Sequence, residues 1–127
     1  MRVDTARIAP EPDVRQAGLD ESFAVIEASG DLDLYSVPRV REALLDLYRA
    51  GRHLIAVDMS AVEFMDSSGL GVLLCAAKRA WAADGAVVLI RPPEQALRVL
   101  RITGVVRVLP VVVTVGEAIA RLDEVAR

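Results

Sequence analysis

An α/β domain on a mostly parallel or mixed sheet is the fold class this sequence predicts, and three observations predict it. Two unbroken apolar runs, Leu54-Ile55-Ala56-Val57 and Ala86-Val87-Val88-Leu89-Ile90, have the length of short strands buried on both faces. Elsewhere apolar residues recur at helical spacing, as in Leu70, Leu73, Leu74 and Ala77 at i, i+3, i+4 and i+7. The two patterns alternate along the chain, the order that lays helices over a sheet.

Taken in order, residues 1–12 carry Pro10 and Pro12 and read as an N-terminal tail or edge segment; residues 13–127 read as one domain. Asp13 to Ala17 and Phe23 to Ala28 are expected as two strands joined through Gly18-Leu19-Asp20-Glu21, adding antiparallel pairing at one edge. Ser36 is placed to cap a first helix with Val37, Val40, Leu44, Leu47 and Tyr48 on its core face, ending at Gly51. Pro38 suits its first turn, where a missing N–H is no loss. A strand over His53 to Met59 follows, then a helix that opens at Asp66 and ends near Ala83 to Gly85. Ala86 to Ile90 is the next strand. Pro92 and Pro93 break the chain, and Ala96, Val99, Leu100 and Thr103 mark a short helix stopped by Gly104. Val105 to Leu109 is expected as the last strand. Thr114-Val115-Gly116-Glu117 has the form of a capping box and opens a final helix with Ile119, Leu122 and Val125 inward.

Composition bounds the function. A chain of 127 residues that is 54% apolar has the material for one core. Its net charge of −3, with the basic residues scattered, argues against nucleic acid as a partner. The single cysteine, Cys75, excludes an internal disulfide and reads as a small buried hydrophobe; no Cys and His set has metal-ligand spacing. Arg107 and Pro110 interrupt the longest apolar stretch, and the acidic, Pro-rich N-terminus lacks an apolar signal region. A cytoplasmic protein without a membrane span is the expectation.

Enzyme signatures are missing. A nucleophile elbow needs Gly two residues before and after the serine, but Met65 and Gly69 flank Ser67, and Asp66 and Leu70 flank Ser68. The dinucleotide fingerprint fails because Leu74 stands where a third glycine would follow Gly69 and Gly71. The only lysine, Lys78, is misplaced for a phosphate-cradling loop, and the only imidazole, His53, reads as a solvated residue opening a strand. No cofactor is expected.

The informative stretch is Phe64-Met65-Asp66-Ser67-Ser68-Gly69-Leu70-Gly71-Val72-Leu73-Leu74. It puts one carboxylate and two hydroxyls in the first turn of a helix, where N–H groups lack partners and the dipole is positive. Capping alone accounts for one such oxygen, at about 1 kcal/mol. Three oxygen-bearing side chains exceed that need, and a hydroxyl there is well placed to carry a phosphate. The two glycines are expected to leave the surface of the turn bare for close approach by another protein.

This run resembles the signature of the anti-sigma factor antagonists, bacterial members of the STAS domain family, and Gly30-Asp31-Leu32-Asp33 resembles a second element that precedes their first helix. The likeness extends over about residues 13 to 125 and implies a single STAS-like domain, a four- to five-stranded mixed sheet with about four helices. It further implies a protein that binds an anti-sigma factor serine kinase and so releases a sigma factor. Phosphorylation at Ser67, with Ser68 as the alternative, would switch it off, and a PP2C-type phosphatase would restore it. The contact surface implied is Asp31, Asp33, Ser36, Asp66, Ser67, Ser68, Gly69 and Gly71. For Asp31 and Asp33, bonding to local backbone N–H groups is an equal alternative. Two other readings stay open on sequence alone: a STAS-type scaffold or ligand-sensing module not run by phosphorylation, and, more distantly, an enzyme using the Asp66-Ser67 pair. Oligomeric state is not legible.

Overall fold

The sheet runs in the order β1-β2-β3-β4-β5. Strand β1 (Thr5–Ile8) is antiparallel to β2 (Phe23–Leu32), whereas β3 (Leu54–Met65), β4 (Ala86–Ile90) and β5 (Val111–Val112) continue from β2 in parallel. The computed structural model describes residues 5–8 and 23–126. Among these, four α-helices connect the strands: α1 (Val37–Arg49), α2 (Ser67–Ala82), α3 (Glu94–Ile102) and α4 (Val115–Ala126). This is the mixed α/β sheet that was expected. The antiparallel partner of β2 is Thr5–Ile8; the Asp13 to Ala17 strand expected in that role, and the turn after it, lie outside the described residues.

Period-two alternation in the central strands makes two cores. Ala24, Ile26 and Ala28, Ile55, Val57 and Met59, and Val87 and Leu89 face α1, α2 and α3. Phe23 and Val25, Leu54 and Ala56, and Ala86, Val88 and Ile90 face α4 through Ala118 and Leu122. Burying β4 completely, on both faces, is what its unbroken apolar run was for.

The helix ends follow their local chemistry. Gly51 holds φ +78, and bonds from the Gly51 N–H to the Tyr48 carbonyl and from the Arg52 N–H to the Leu47 carbonyl close α1 in a Schellman turn. At α4 the capping box forms: the Glu117 N–H donates to Thr114 Oγ1 at 3.1 Å, and Glu117 Oε1 accepts from the Thr114 and Val113 N–H groups, each at 3.1 Å.

Four expectations need correction. Val105 to Leu109 is not a strand: after Gly104 turns the chain at φ +76, Val105–Arg107 wind into a 3₁₀ turn. The pairing with β4 begins later, where the Leu89 N–H donates to the Pro110 carbonyl, and β5 is Val111–Val112. Its valines pack on the core from a turn, a placement that an apolar run does not distinguish from a strand. On α4 the inward residues are Ala118 and Leu122, Ile119 is half-buried, and Val125, in the last turn of the helix, is 41% exposed. Cys75 is exposed, not buried, since it lies one step round α2 from the inward Val72, Ala76 and Ala80. His53 is only half-exposed; its ring stacks on Tyr48 at 6.3 Å, and its Nδ1 is a buried nitrogen with no hydrogen-bond partner among the described residues.

Candidate functional site

Strand β3 is 12 residues long but pairs with β4 only as far as Asp58↔Ile90, so its second half projects beyond the sheet centre beside β2. Two register shifts, between Glu27 and Ser29 and between Gly30 and Asp31, let β3 keep pace with β2 while carrying extra residues. Gly30 takes φ +79 at the second of them, a conformation that excludes most side chains and gives the Gly-Asp-Leu-Asp element its physical reason. The pairs Asp31↔Phe64 and Leu32↔Met65 end the ladder, and the Asp66 N–H donates to the Leu32 carbonyl at 3.1 Å. The two strand ends and the turns that follow them therefore lie side by side.

On its other edge, Met65 would have no strand partner. Gln95, from α3, supplies one: its Oε1 accepts from the Met65 N–H at 3.1 Å and its Nε2 donates to the Met65 carbonyl at 2.9 Å. The side-chain amide imitates a peptide group and satisfies both buried backbone atoms. Sequence reasoning missed Gln95, since nothing in the Pro-Pro-Glu-Gln run distinguishes a solvated glutamine from a bonded one.

Helix α2 begins directly from this anchored end. Asp66 is its N-cap, extended at φ −99 and ψ −173, with Oδ1 accepting from the Ser68 N–H at 2.8 Å and the Gly69 N–H at 3.2 Å. One oxygen thus does the capping, and the serine hydroxyls are left out of it. Ser67, the first helical residue, is exposed, and Ser68 is half-buried. Neither hydroxyl makes a hydrogen bond among the described residues.

The glycines divide. Gly71 is open, with nothing within 4 Å of where a Cβ would stand, as expected of a bare surface. Gly69 is buried: a Cβ there would lie 2.5 Å from the Leu32 carbonyl oxygen and 2.9 Å from Leu32 Cβ and from Met65 Cγ. It lets the helix start touch the β2 end, so its place in the motif is internal packing and not the accessible contact surface that was expected.

The loop after β2 completes the rim. Asp33 bonds local backbone: its Oδ1 accepts from the Tyr35 N–H at 3.0 Å and the Ser36 N–H at 3.1 Å. Asp31, at the edge of the ladder, is half-buried. Ser36 occupies the N-cap position of α1 without capping it. Its hydroxyl, 2% exposed, donates back to the Asp31 carbonyl at 2.7 Å and accepts from the Asp33 N–H at 3.0 Å. It stitches the loop together and is not available to a partner. What the loop presents instead is Leu34, 67% exposed, and Tyr35, 88% exposed, with Phe64 at 43% on the neighbouring strand end. Large apolar side chains held in water at adjoining chain segments mark a contact surface more directly than the carboxylates do. Their signal was present, as Leu34-Tyr35 breaks the polar character expected of a turn.

Among the described residues no group of three or more His, Cys, Asp or Glu side chains is arranged to hold a metal ion. No helix among them is long and apolar enough to cross a membrane.

Comparison with known proteins bears on this arrangement. The profile of the STAS domain family matches residues 12–118. An anti-sigma-B factor antagonist of Listeria monocytogenes is 31% identical over 99 residues, which are 77% of this chain and 86% of the relative. One of Staphylococcus epidermidis is 31% identical over 84 residues, 66% of this chain and 78% of its own length. Among solved structures, an anti-sigma factor antagonist from Mycobacterium paratuberculosis superposes with a TM-score of 0.77 at 20% identity, covering 94% of each chain.

Proposed function

The chain belongs to the STAS domain family, and we propose that it is an anti-sigma factor antagonist, a binding module and not an enzyme, switched off by phosphorylation of Ser67. The observation that carries this reading is an exposed, unbonded Ser67 hydroxyl at the first position of α2, beside the exposed Leu34, Tyr35 and Phe64. The apolar trio is the docking surface for the partner, a serine kinase that also acts as the anti-sigma factor. Its active site then reaches Ser67 from the bound position.

Phosphorylation there leaves the fold intact. The helix N-terminus favours negative charge by roughly 0.3–1 kcal/mol at an exposed site, and no buried contact is disturbed. The effect falls on the complex: about two units of negative charge beside Asp66 add repulsion, desolvation and bulk at the interface. A loss of about 3–4 kcal/mol weakens binding some hundredfold to thousandfold. Removal of the phosphate by a PP2C-type phosphatase resets the switch. Such partner switching takes place in the cytoplasm, where sigma factors act.

The test is intact mass with site mapping after incubation with ATP and each candidate anti-sigma kinase of the same genome. One phosphate on Ser67 together with loss of binding is the expected result. Ser67→Ala should keep binding and lose switching, and Ser67→Asp should weaken binding. A partner bound by both variants as by the wild type, with no phosphate gained, would refute the switch and leave a constitutive scaffold.

A further inference from the structure

A groove of about 200 Å³ runs between α1 and α2, away from the Ser67 turn. Leu44, Leu45, Val72 and Ala76 give it an apolar lining, which the Tyr48 side chain joins. The Tyr48 side chain is held in place: its hydroxyl donates to the Ala76 carbonyl at 2.9 Å, tying the two helices together. Its lining includes two arginines, both exposed: Arg41 from α1 and Arg79 from α2, whose guanidinium lies 5.3 Å from the centre of the Tyr48 ring. Neither has a carboxylate partner among the described residues, in a protein whose net charge is −3. A largely apolar cleft whose lining carries two guanidinium groups and no carboxylate is complementary to one class of ligand.

We propose that this groove binds a small monocarboxylate with an apolar body, of the size of benzoate or hexanoate. At about 30 Å³ for each water at liquid density, the groove holds six or seven waters' worth of ligand. It is smaller than the 300–1,000 Å³ clefts typical of drug-sized molecules or nucleotides. The acid's apolar part lies on Leu44, Val72 and Ala76, and its carboxylate meets the forked donors of Arg79 and Arg41. The inference goes beyond the switch at Ser67 and does not depend on it, because every residue of the groove is separate from that turn. It does share α2 with the switch, so occupancy and the partner-facing end of the helix belong to one rigid element.

The chain carries its own reporter. Cys75, its only cysteine, is exposed and lines the groove. The experiment is the rate of Cys75 alkylation by neutral iodoacetamide, read by intact mass, with benzoate or its uncharged isostere benzamide at rising concentration. At a concentration of benzoate that slows the reaction about tenfold, the same concentration of benzamide should protect far less, since the amide forms no charge-assisted pair with the guanidinium groups. Arg79→Gln and Arg41→Gln should each abolish most of the protection. Arg41→Gln leaves the contact between Arg79 and Tyr48 untouched, so its loss of protection is not a folding defect. Equal protection by benzoate and benzamide would overturn the carboxylate assignment, and no protection by either would overturn the site. Because no kinase or partner is present, neither outcome bears on Ser67.

Discussion

Substituting the two motif glycines by alanine should move stability in opposite directions, although they lie two residues apart in one helix. In Gly69→Ala the new methyl would sit 2.5 Å from the Leu32 carbonyl oxygen and 2.9 Å from Leu32 Cβ. Both are backbone or next to it, so no side-chain rotation relieves the clash. Overpacking of this kind costs about 1–3 kcal/mol, against which alanine regains about 1 kcal/mol of helix propensity. The part of the strain relieved by moving α2 outward also lengthens the 3.1 Å bond from the Asp66 N–H to that same carbonyl, which adds a loss of up to about 1 kcal/mol. The sum is a loss of about 2 kcal/mol. Gly71→Ala meets nothing within 4 Å and should gain about 0.5–1 kcal/mol. Urea unfolding followed by circular dichroism is the assay. With a slope of about 1–3 kcal/mol/M, the midpoint should fall by roughly 1 M in the first variant and rise slightly in the second. A Gly69→Ala protein as stable as the wild type would refute the argument that the motif needs glycine there for packing.

Other consequences are open to measurement. Asp66→Ala removes the bonds to the Ser68 and Gly69 N–H groups and should cost about 1 kcal/mol in thermal or urea unfolding, most of it recovered in Asp66→Asn. Gln95→Leu orphans the Met65 N–H and carbonyl and should cost about 2 kcal/mol, with faster amide exchange over the end of β3 than in the wild type. Tyr48 has its phenol pushed up from 10.0 to about 12, chiefly by burial, with Arg79 acting in the opposite sense. A folded-state value above the unfolded one means that this contribution is whole below pH 10 and is lost as the pH rises toward 12. Urea midpoints of wild type and Tyr48→Phe measured across that window should converge as the pH rises; parallel curves would contradict the assignment.

How much of this was legible depended on whether a residue's task was local. Ala86 to Ile90, the start of α2 and the Thr114 to Glu117 capping box follow from nearest-neighbour chemistry, and the chain folds there as its sequence reads. Residues answering to distant segments were read less well. Gly69 is bare because of Leu32, 37 positions earlier by their numbers, and Gln95 is held by Met65 across 30 residues. Ser36 had the right identity for a cap, yet its hydroxyl turned back to the Asp31 carbonyl: of the N–H groups a cap would take, Pro38 has none and that of Arg39 donates to the Ser36 carbonyl. The last strand was displaced to Val111–Val112 because Val105, Val106 and Val108 meet the core from a turn. Hydrophobicity reports burial, and only the path of the chain decides whether burial is in a strand.

The helices are shared unequally between the two faces of the sheet, and this sets an order of events during synthesis. Three of them cover one face before the chain has passed Ile102, whereas on the other Phe23, Val25, Leu54, Ala56, Val88 and Ile90 await α4, the only described helix there. A nascent chain stopped short of Val115 would show water a broad apolar sheet surface made of strand-forming residues. Surfaces of that kind recruit chaperones or one another. The capping box at Thr114 and Glu117 starts the one helix that closes this interval, so its stability governs how long the emerging protein remains sticky.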